Sequence, residues 1–212
     1  MPRGWKIAET VKLLDNVASN EGANQRVLAR QVGVSIGLIN ALVNRAVSKG
    51  LIKIKQAPAR RYVYYLTPKG LAEKSRLVAE YLDYSLNFFR TARQEYTDIF
   101  IRCAATGRRR LVLCGAGELA EIATLGLGGA GVQLVAVFDL ETNQSHVAGL
   151  PVVRNLADLL PDDVLVITAG RNAQELYDQF VAAGWLDRVV YPKFLRISPA
   201  RAPVVAEPRA SS

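Results

Sequence analysis

The chain has 212 residues, half of them hydrophobic and 22% charged, with 16 Gly, 9 Pro and 2 Cys. This composition excludes a disordered chain, a collagen-like repeat and a disulfide scaffold. No apolar run reaches the ~20 residues that span a bilayer, and no secretion-signal pattern opens the chain, so the expectation is a cytoplasmic protein without a membrane partner. The net charge of +8 is unevenly divided, because residues 1–110 hold 20 Lys+Arg against 8 Asp+Glu and residues 111–212 hold 7 against 11. A basic half points to a polyanionic partner, since Lys and Arg neutralise phosphates and release counterions. Length and charge split together favour two domains.

Residues 6–18 place Ile7, Val11, Leu14, Val17 and Ala18 at helical spacing, predicting an amphipathic first helix that ends at Asn20-Glu21-Gly22. A second helix near 25–32 is expected to bury Val27, Leu28 and Val32 before a turn at Gly33. Ser35 suits the N-cap of a third helix, where its hydroxyl accepts from a first-turn N–H. Ile36, Ile39, Leu42, Val43, Ala46 and Val47 form its inner stripe, leaving Gly37, Leu38, Asn40, Ala41, Asn44, Arg45 and Ser48 outward. A helix of this size fits the major groove of double-stranded DNA, where Asn pairs with adenine and Arg with guanine. Asn40, Asn44 and Arg45 are therefore the candidate base readers, with Ser35, Gly37 and Leu38 at the same surface.

Two alternating runs, 51–55 and 60–66, flank a polar turn at 56–59 and predict a hairpin. Its tip is expected to carry Lys53, Lys55, Arg60 and Arg61, the side chains a wing lays along phosphates or a minor groove. Taken singly, each residue is equally at home on a solvated face. It is the combination of helix and basic hairpin that points to DNA.

Thr67 and Pro68 suit the N-cap and first position of another helix, and neither Pro nor Gly follows Gly70 until after Cys103. The prediction is a linking helix within 67–107, roughly 36 residues and about 54 Å long. Ser75, Leu82, Phe89, Tyr96 and Cys103 recur every seven residues, interleaved with Val78, Ser85, Ala92 and Ile99. Such a seam pairs with a second copy to make a homodimer, or packs intramolecularly on both domains.

Residues 5–85 resemble the MarR-type winged-helix regulators, particularly a short group associated with exopolysaccharide gene clusters. The resemblance is carried by Arg26-Val27-Leu28-Ala29-Arg30-Gln31-Val32-Gly33-Val34-Ser35, Leu38-Ile39-Asn40, Lys49-Gly50-Leu51-Ile52 and Tyr65-Leu66-Thr67-Pro68-Lys69-Gly70. It implies dimeric DNA binding through the third helix and the wing, and regulation of transcription, with polysaccharide genes as candidate targets.

In the acidic half, apolar runs at 111–114, 134–138 and 164–168 alternate with helical stretches, with shorter runs at 152–153 and 189–191. That alternation predicts a parallel sheet covered on both faces. The expected fold is thus an α+β winged helix-turn-helix domain over 1–66, the linking helix, an α/β Rossmann-like domain over 108–196 and a disordered tail over 197–212.

Gly115-Ala116-Gly117-Glu118-Leu119-Ala120 has the form GxGxxA after a strand and before a helix. Gly115 permits a tight turn, Gly117 lets a phosphate approach the backbone, and the helix N-terminus favours an anion. Asp139, at the end of the next strand, is placed to accept from ribose hydroxyls. Glu118 opposes a bound pyrophosphate by charge, or else serves the helix dipole. The turn at Thr168, Ala169, Gly170, Arg171 and Asn172 is a third candidate contact, with Arg171 for a phosphate. The crevice reads either as a ligand site or as part of a fold used for dimerisation, packing or protein interaction.

Residues 110–195 resemble the nucleotide-binding domains that precede sugar-modifying enzymes, on the strand entering Gly115-Ala116-Gly117, Val137-Phe138-Asp139, Gly149-Leu150-Pro151-Val152 and Arg188-Val189-Val190-Tyr191-Pro192. Glu118-Leu119 stand where the acetyltransferase branch carries Gly-His. The resemblance implies a nucleotide-sugar or dinucleotide such as NAD(H) as effector. Neither a Tyr/Lys dehydrogenase pair nor a substrate domain accompanies the glycines, so no catalysis is expected. Cys103, Cys114 and His146 fit no metal spacing; the cysteines read as packed side chains and the histidine as a solvated loop residue.

Overall fold

A computed structural model describes residues 3–19, 24–57 and 61–199, leaving aside the side chains of 3–6, 57 and 61. The chain divides into two compact units, Met1–Phe88 and Phe89–Ser212.

The first unit contains α1 (Arg3–Ser19), α2 (Gln25–Val32), α3 (Ile36–Ser48), β1 (Ile52–Ala57), β2 (Arg61–Leu66) and the beginning of α4 (Pro68–Ala105). Its helix ends are set by side chains. The Asn24 carboxamide oxygen accepts from the Val27 N–H at 3.0 Å, and the Ser35 hydroxyl accepts from the Leu38 N–H at 3.3 Å. Between them Gly33, at φ +79°, turns the chain while its N–H bonds back to the Ala29 carbonyl. Leu13, Leu14, Val17, Leu28, Val32, Ile39, Val43, Ile52, Tyr64 and Leu77 fill one core.

Thr67 locks the start of α4 to this core. Its hydroxyl donates toward the Gly50 carbonyl at 2.7 Å and accepts from the Gly70 N–H at 2.9 Å. Gly70 faces Leu51 so closely that a Cβ would collide with the Leu51 carbonyl oxygen. The Thr67-Pro68-Lys69-Gly70 string thus has a physical basis in a cap, a preset first turn and a close backbone approach.

Several expected positions shift. Helix α1 starts at Arg3 rather than residue 6, its core residues include Leu13, and Ala18 is exposed; the predicted stop at Asn20-Glu21-Gly22 lies outside the described residues. Val27 and Ile36 were expected inside and are 39% and 56% exposed. Short α2 turns Leu28, Ala29 and Val32 inward, one helical step away from Val27, and Ile36 opens α3 before that helix meets the core.

The second unit holds the rest of α4, then β3 (Arg110–Cys114), α5 (Glu118–Leu125), β4 (Gln133–Phe138), β5 (His146–Val147), β6 (Leu150–Val153), β7 (Val164–Ile167), α6 (Ala173–Ala182) and β8 (Val189–Val190). The strands run in the order β5-β6-β4-β3-β7-β8, parallel throughout except for β5 against β6. The sheet is therefore mixed at one edge, and His146 sits on that edge strand rather than in a loop, still exposed. Apolar runs without alternation become the central strands β3 and β7, because both of their faces are covered.

One face carries Leu111, Leu113, Val137, Val164 and Val166 beneath Tyr96, Ile99, Phe100 and Cys103 of α4. The other carries Val112, Cys114, Phe138, Leu165 and Ile167 against Tyr177 and Phe180 of α6. Tyr96 donates to the Ile167 carbonyl at 3.1 Å. The seven-residue seam is consequently divided: Ala92, Tyr96, Ile99 and Cys103 are buried in their own chain, whereas Val78 and Leu82 are 42% and 55% exposed. An uncovered hydrophobic sheet face takes the nearest apolar stripe, and the second half of α4 supplies it. Both cysteines are buried, and burial pushes their thiols up, as packed neutral groups require.

The structure orders more of the end than expected. Ile197 is buried beside α6, and Ser198 exchanges hydrogen bonds with Gln174, so the predicted tail beginning at 197 starts too early; residues 200–212 lie outside the described residues.

Gly70→Ala is expected to cost about 2 kcal/mol or more by overpacking backbone against backbone. Urea denaturation followed by circular dichroism checks this, and an unchanged midpoint would mean that α4 is not held this way.

Candidate functional site

Two surfaces collect the candidate residues, one in each unit. In the first unit, helical steps of 100° set Gly37, Ala41, Asn44 and Ser48 at the centre of the exposed face of α3, with Asn40 and Arg45 on its two flanks. Leu38 is half-buried and Ser35 spends its hydroxyl as the N-cap. The centre of that face carries mostly small side chains, with the Asn40 amide and the Arg45 guanidinium on either side.

Asn40 is held in place. The Gln25 side-chain N–H donates to its Oδ1 at 3.0 Å, joining the first turn of α2 to α3. Sequence reading missed Gln25 because the contact spans fifteen residues, and only the α2–α3 crossing brings the two amides together. Arg45 and Lys49 border a groove with an apolar floor, formed by Leu42, Ala46, Leu51 and Leu77. Arg76, across that groove, is paired with Glu73 and Glu80 at 2.8 and 2.9 Å, and Arg45 and Lys49 tip the charge of the lining to positive.

The hairpin is longer than expected. Pairing continues through Gln56↔Tyr62 and Ala57↔Arg61, so Gln56 and Ala57, assigned from sequence to the turn, extend β1. Lys53 faces Tyr65 and Lys55 faces Val63, which places both on the stem rather than at the tip. Both are exposed and share one face of the ribbon; the opposite face buries Ile52 and Tyr64. Arg60 and the side chain of Arg61 lie outside the described residues.

In the second unit the candidate site lies where the order of strands reverses about β3, at the carboxyl ends of β3, β4 and β7. Gly115 has φ +117°, and a Cβ there would stand 2.5 Å from the Ala169 nitrogen, so this glycine answers to packing between two loops. Thr168 is buried and donates its hydroxyl to the Gly115 carbonyl at 2.8 Å. Asp139 ties the third loop in: Oδ2 accepts from the Ala116 N–H at 2.7 Å, and Oδ1 accepts from the Glu141 and Thr142 N–H groups at 2.8 Å.

Burial alone would raise the Asp139 carboxyl. The N–H donors of Ala116, Thr142 and Glu141, with the nearby Arg154 charge, outweigh it and hold the group below its ordinary value. Arg154 in turn donates to the Thr142 and Gln144 carbonyls.

A cleft of about 270 Å³ opens over these loops. Gly115, Ala116, Gly117, Asp139, Thr168 and Ala169 line it. Gly117 differs from Gly115: it is the N-cap of α5, its backbone is extended, and a Cβ there would meet nothing within 4 Å. Glu118, Leu119 and Arg171 are not among the lining residues. The turn after β7 brings Asn172 to the wall and leaves Arg171 exposed in a neighbouring groove. Glu141, Glu175 and Gln179 also line the cleft, on positions that carried no motif. Its charged lining is thus three carboxylates with no Lys or Arg.

The winged helix-turn-helix DNA-binding family matches residues 10–53, from within α1 to the start of β1. No curated protein sequence matches the chain. Among solved structures, similarity extends to the PcaV transcriptional regulator of Streptomyces coelicolor, 25% identical over 47% of this chain and 79% of that one, with a TM-score of 0.32. A protein with unknown function from Listeria innocua Clip11262 is 23% identical over 39% of this chain, TM-score 0.33, and the chain spans 58% of that protein's length. The O-methyltransferase NcsB1 from neocarzinostatin biosynthesis is 11% identical over 89% of this chain and 62% of that one, TM-score 0.26.

The chain therefore joins a winged helix-turn-helix DNA-binding domain to a Rossmann-like α/β unit through a long helix. No helix among the described residues is long and apolar enough to cross a membrane.

Because the folded value of Asp139 is lowered, its stabilisation is fully present above about pH 4 and is lost as pH falls through that lowered value. Asp139→Asn, whose amide turns a donor toward donors, should destabilise the C-terminal unit at neutral pH, and the gap to the native protein should close below pH 4. Denaturation midpoints across pH 3–7 measure this; a gap independent of pH would remove Asp139 from that role.

Proposed function

We propose that this protein is a MarR-type transcriptional regulator that binds operator DNA as a dimer and senses a nucleotide-containing metabolite, a nucleotide-sugar or NAD(H), in the cleft of its C-terminal unit. The observation that supports the sensor role most directly is Gly117, the N-cap of α5 with open space where a Cβ would stand, in the wall of a cleft at the switch point of the sheet. Without basic side chains there, the pyrophosphate contacts fall to the loop N–H groups. Asp139 retains acceptor capacity for a ribose hydroxyl beyond the three N–H groups it holds.

The role proposed for this unit is binding rather than catalysis. Among the described residues lining the cleft, no histidine, cysteine or lysine is present, and the central carboxylate is engaged in holding loops together. Control of polysaccharide genes follows from the resemblance of residues 5–85 alone.

Dimerisation is assigned to the part of α4 between the two cores, where Val78, Tyr81, Leu82 and Leu86 are exposed. A pair of such segments sets the separation of two copies of α3, and a ligand-dependent change in that pairing would alter DNA affinity.

Thermal shift with NAD(H), UDP-sugars and AMP tests the sensor. Gly117→Ser, which keeps a good N-cap while placing a side chain in the cleft, should leave the ligand-free melting temperature within about a degree and weaken the shift of several degrees expected at saturating ligand. A panel without any shift in the native protein would overturn this assignment. Leu82→Glu should convert dimer to monomer in light scattering and weaken binding to a two-half-site duplex at least tenfold. A native protein that sediments as a monomer at micromolar concentration would count against the dimer.

A further inference from the structure

We propose that Gln25, which belongs to α2 and carries no recognition motif, is a positioning residue that sets the amide of Asn40 for reading adenine. The inference rests on α3 being the helix that reads DNA. Asn40 stands on the exposed flank of α3, one turn from its N-terminus, in the part of a recognition helix that meets base edges. An exposed Asn side chain rotates freely and turns its oxygen and nitrogen either way, so binding a base costs it rotamer freedom.

Gln25 removes that freedom. It is half-buried at the first position of α2, a helix anchored by the Asn24 cap and by Leu28, Ala29 and Val32 in the core. From this fixed point its Nε2 donates to Asn40 Oδ1 at 3.0 Å. In this arrangement the contact uses one of the two lone pairs of Asn40 Oδ1.

What remains on Asn40 is one acceptor lone pair and two Nδ2–H donors. Adenine offers N6–H and N7 in the major groove, a donor beside an acceptor, which this remainder complements. Guanine offers two acceptors there, and thymine an acceptor beside a methyl group, so neither satisfies both ends. The Gln25 amide therefore contributes to specificity without itself needing to touch a base.

The test is selection of duplexes from a randomised pool by the full chain and by Gln25→Ala, Gln25→Glu and Asn40→Ala. Asn40 is exposed and Gln25 half-buried with its head group outside the core, so all four proteins should give closely similar circular-dichroism melts. The native protein should enrich a site with an adenine whose replacement weakens binding about tenfold, and Asn40→Ala should lose that preference. Gln25→Ala should reduce the preference about threefold while leaving affinity for random duplex unchanged. Gln25→Glu, which can only accept, should turn Asn40 around by taking an Nδ2–H and lose the preference as well. An intact adenine preference in Gln25→Ala overturns the inference and leaves α3 as the reader. Equal losses on enriched and random DNA overturn it too, by making Gln25 a phosphate contact. If the native protein enriches no sequence, base reading by α3 and the inference fall together.

Discussion

Helix α4 contributes side chains to two separate cores, and the architecture depends on that division. Near its start, Thr67 and Gly70 fasten it under Leu51, and Leu77 enters the core of the winged helix. Near its end, Tyr96, Ile99, Phe100 and Cys103 cover one face of the sheet. Each of these cores needs the helix. Without its first turns, the core of the winged helix loses Leu77, and without its last turns a face of Leu and Val side chains meets water. An exposed middle remains, with apolar residues that neither core uses.

The C-terminal cleft is organised by a second constraint, the meeting of three loops at the ends of β3, β4 and β7. Asp139 bonds the backbone of the β3 loop, Thr168 bonds Gly115, and the absent side chain of Gly115 lets Ala169 close in. Two glycines of one motif thus serve different ends: Gly115 makes the loops fit, while Gly117 leaves room above them. The carboxylate expected at a ribose is first of all a structural tie. This makes any ligand of the cleft dependent on the protonation of the group that shapes it, since loss of that charge weakens three hydrogen bonds at once.

The elements were legible in the sequence wherever local physics decides them. Ser35 caps its helix, Gly33 turns the chain, and the runs at 111–114 and 164–168 become strands covered on both faces, since capping, positive φ and hydrophobic periodicity act over a few residues. Misplaced side chains have a common cause. Val27 and Ile36 match the helical period but lie where no neighbour covers them, and Lys53 and Lys55 shift from tip to stem once the ladder extends to Ala57. The seam of α4 was visible as a repeat, yet a heptad does not say whether its partner is another copy or the following sheet.

The order of winged helix, long helix and α/β unit, the Gly-rich turn, and the presence of Asp139 at a strand end are readable in the amino-acid order. Those properties follow from residue types within a turn or a strand of one another. Tertiary structure alone decided that Gln25 meets Asn40, that Asn172 rather than Arg171 reaches the cleft, that Glu141 and Glu175 make its lining acidic, and that half of the α4 seam is intramolecular. Each of these depends on contacts between segments distant in the chain. Their geometry is set by how whole elements pack, and no local propensity encodes it.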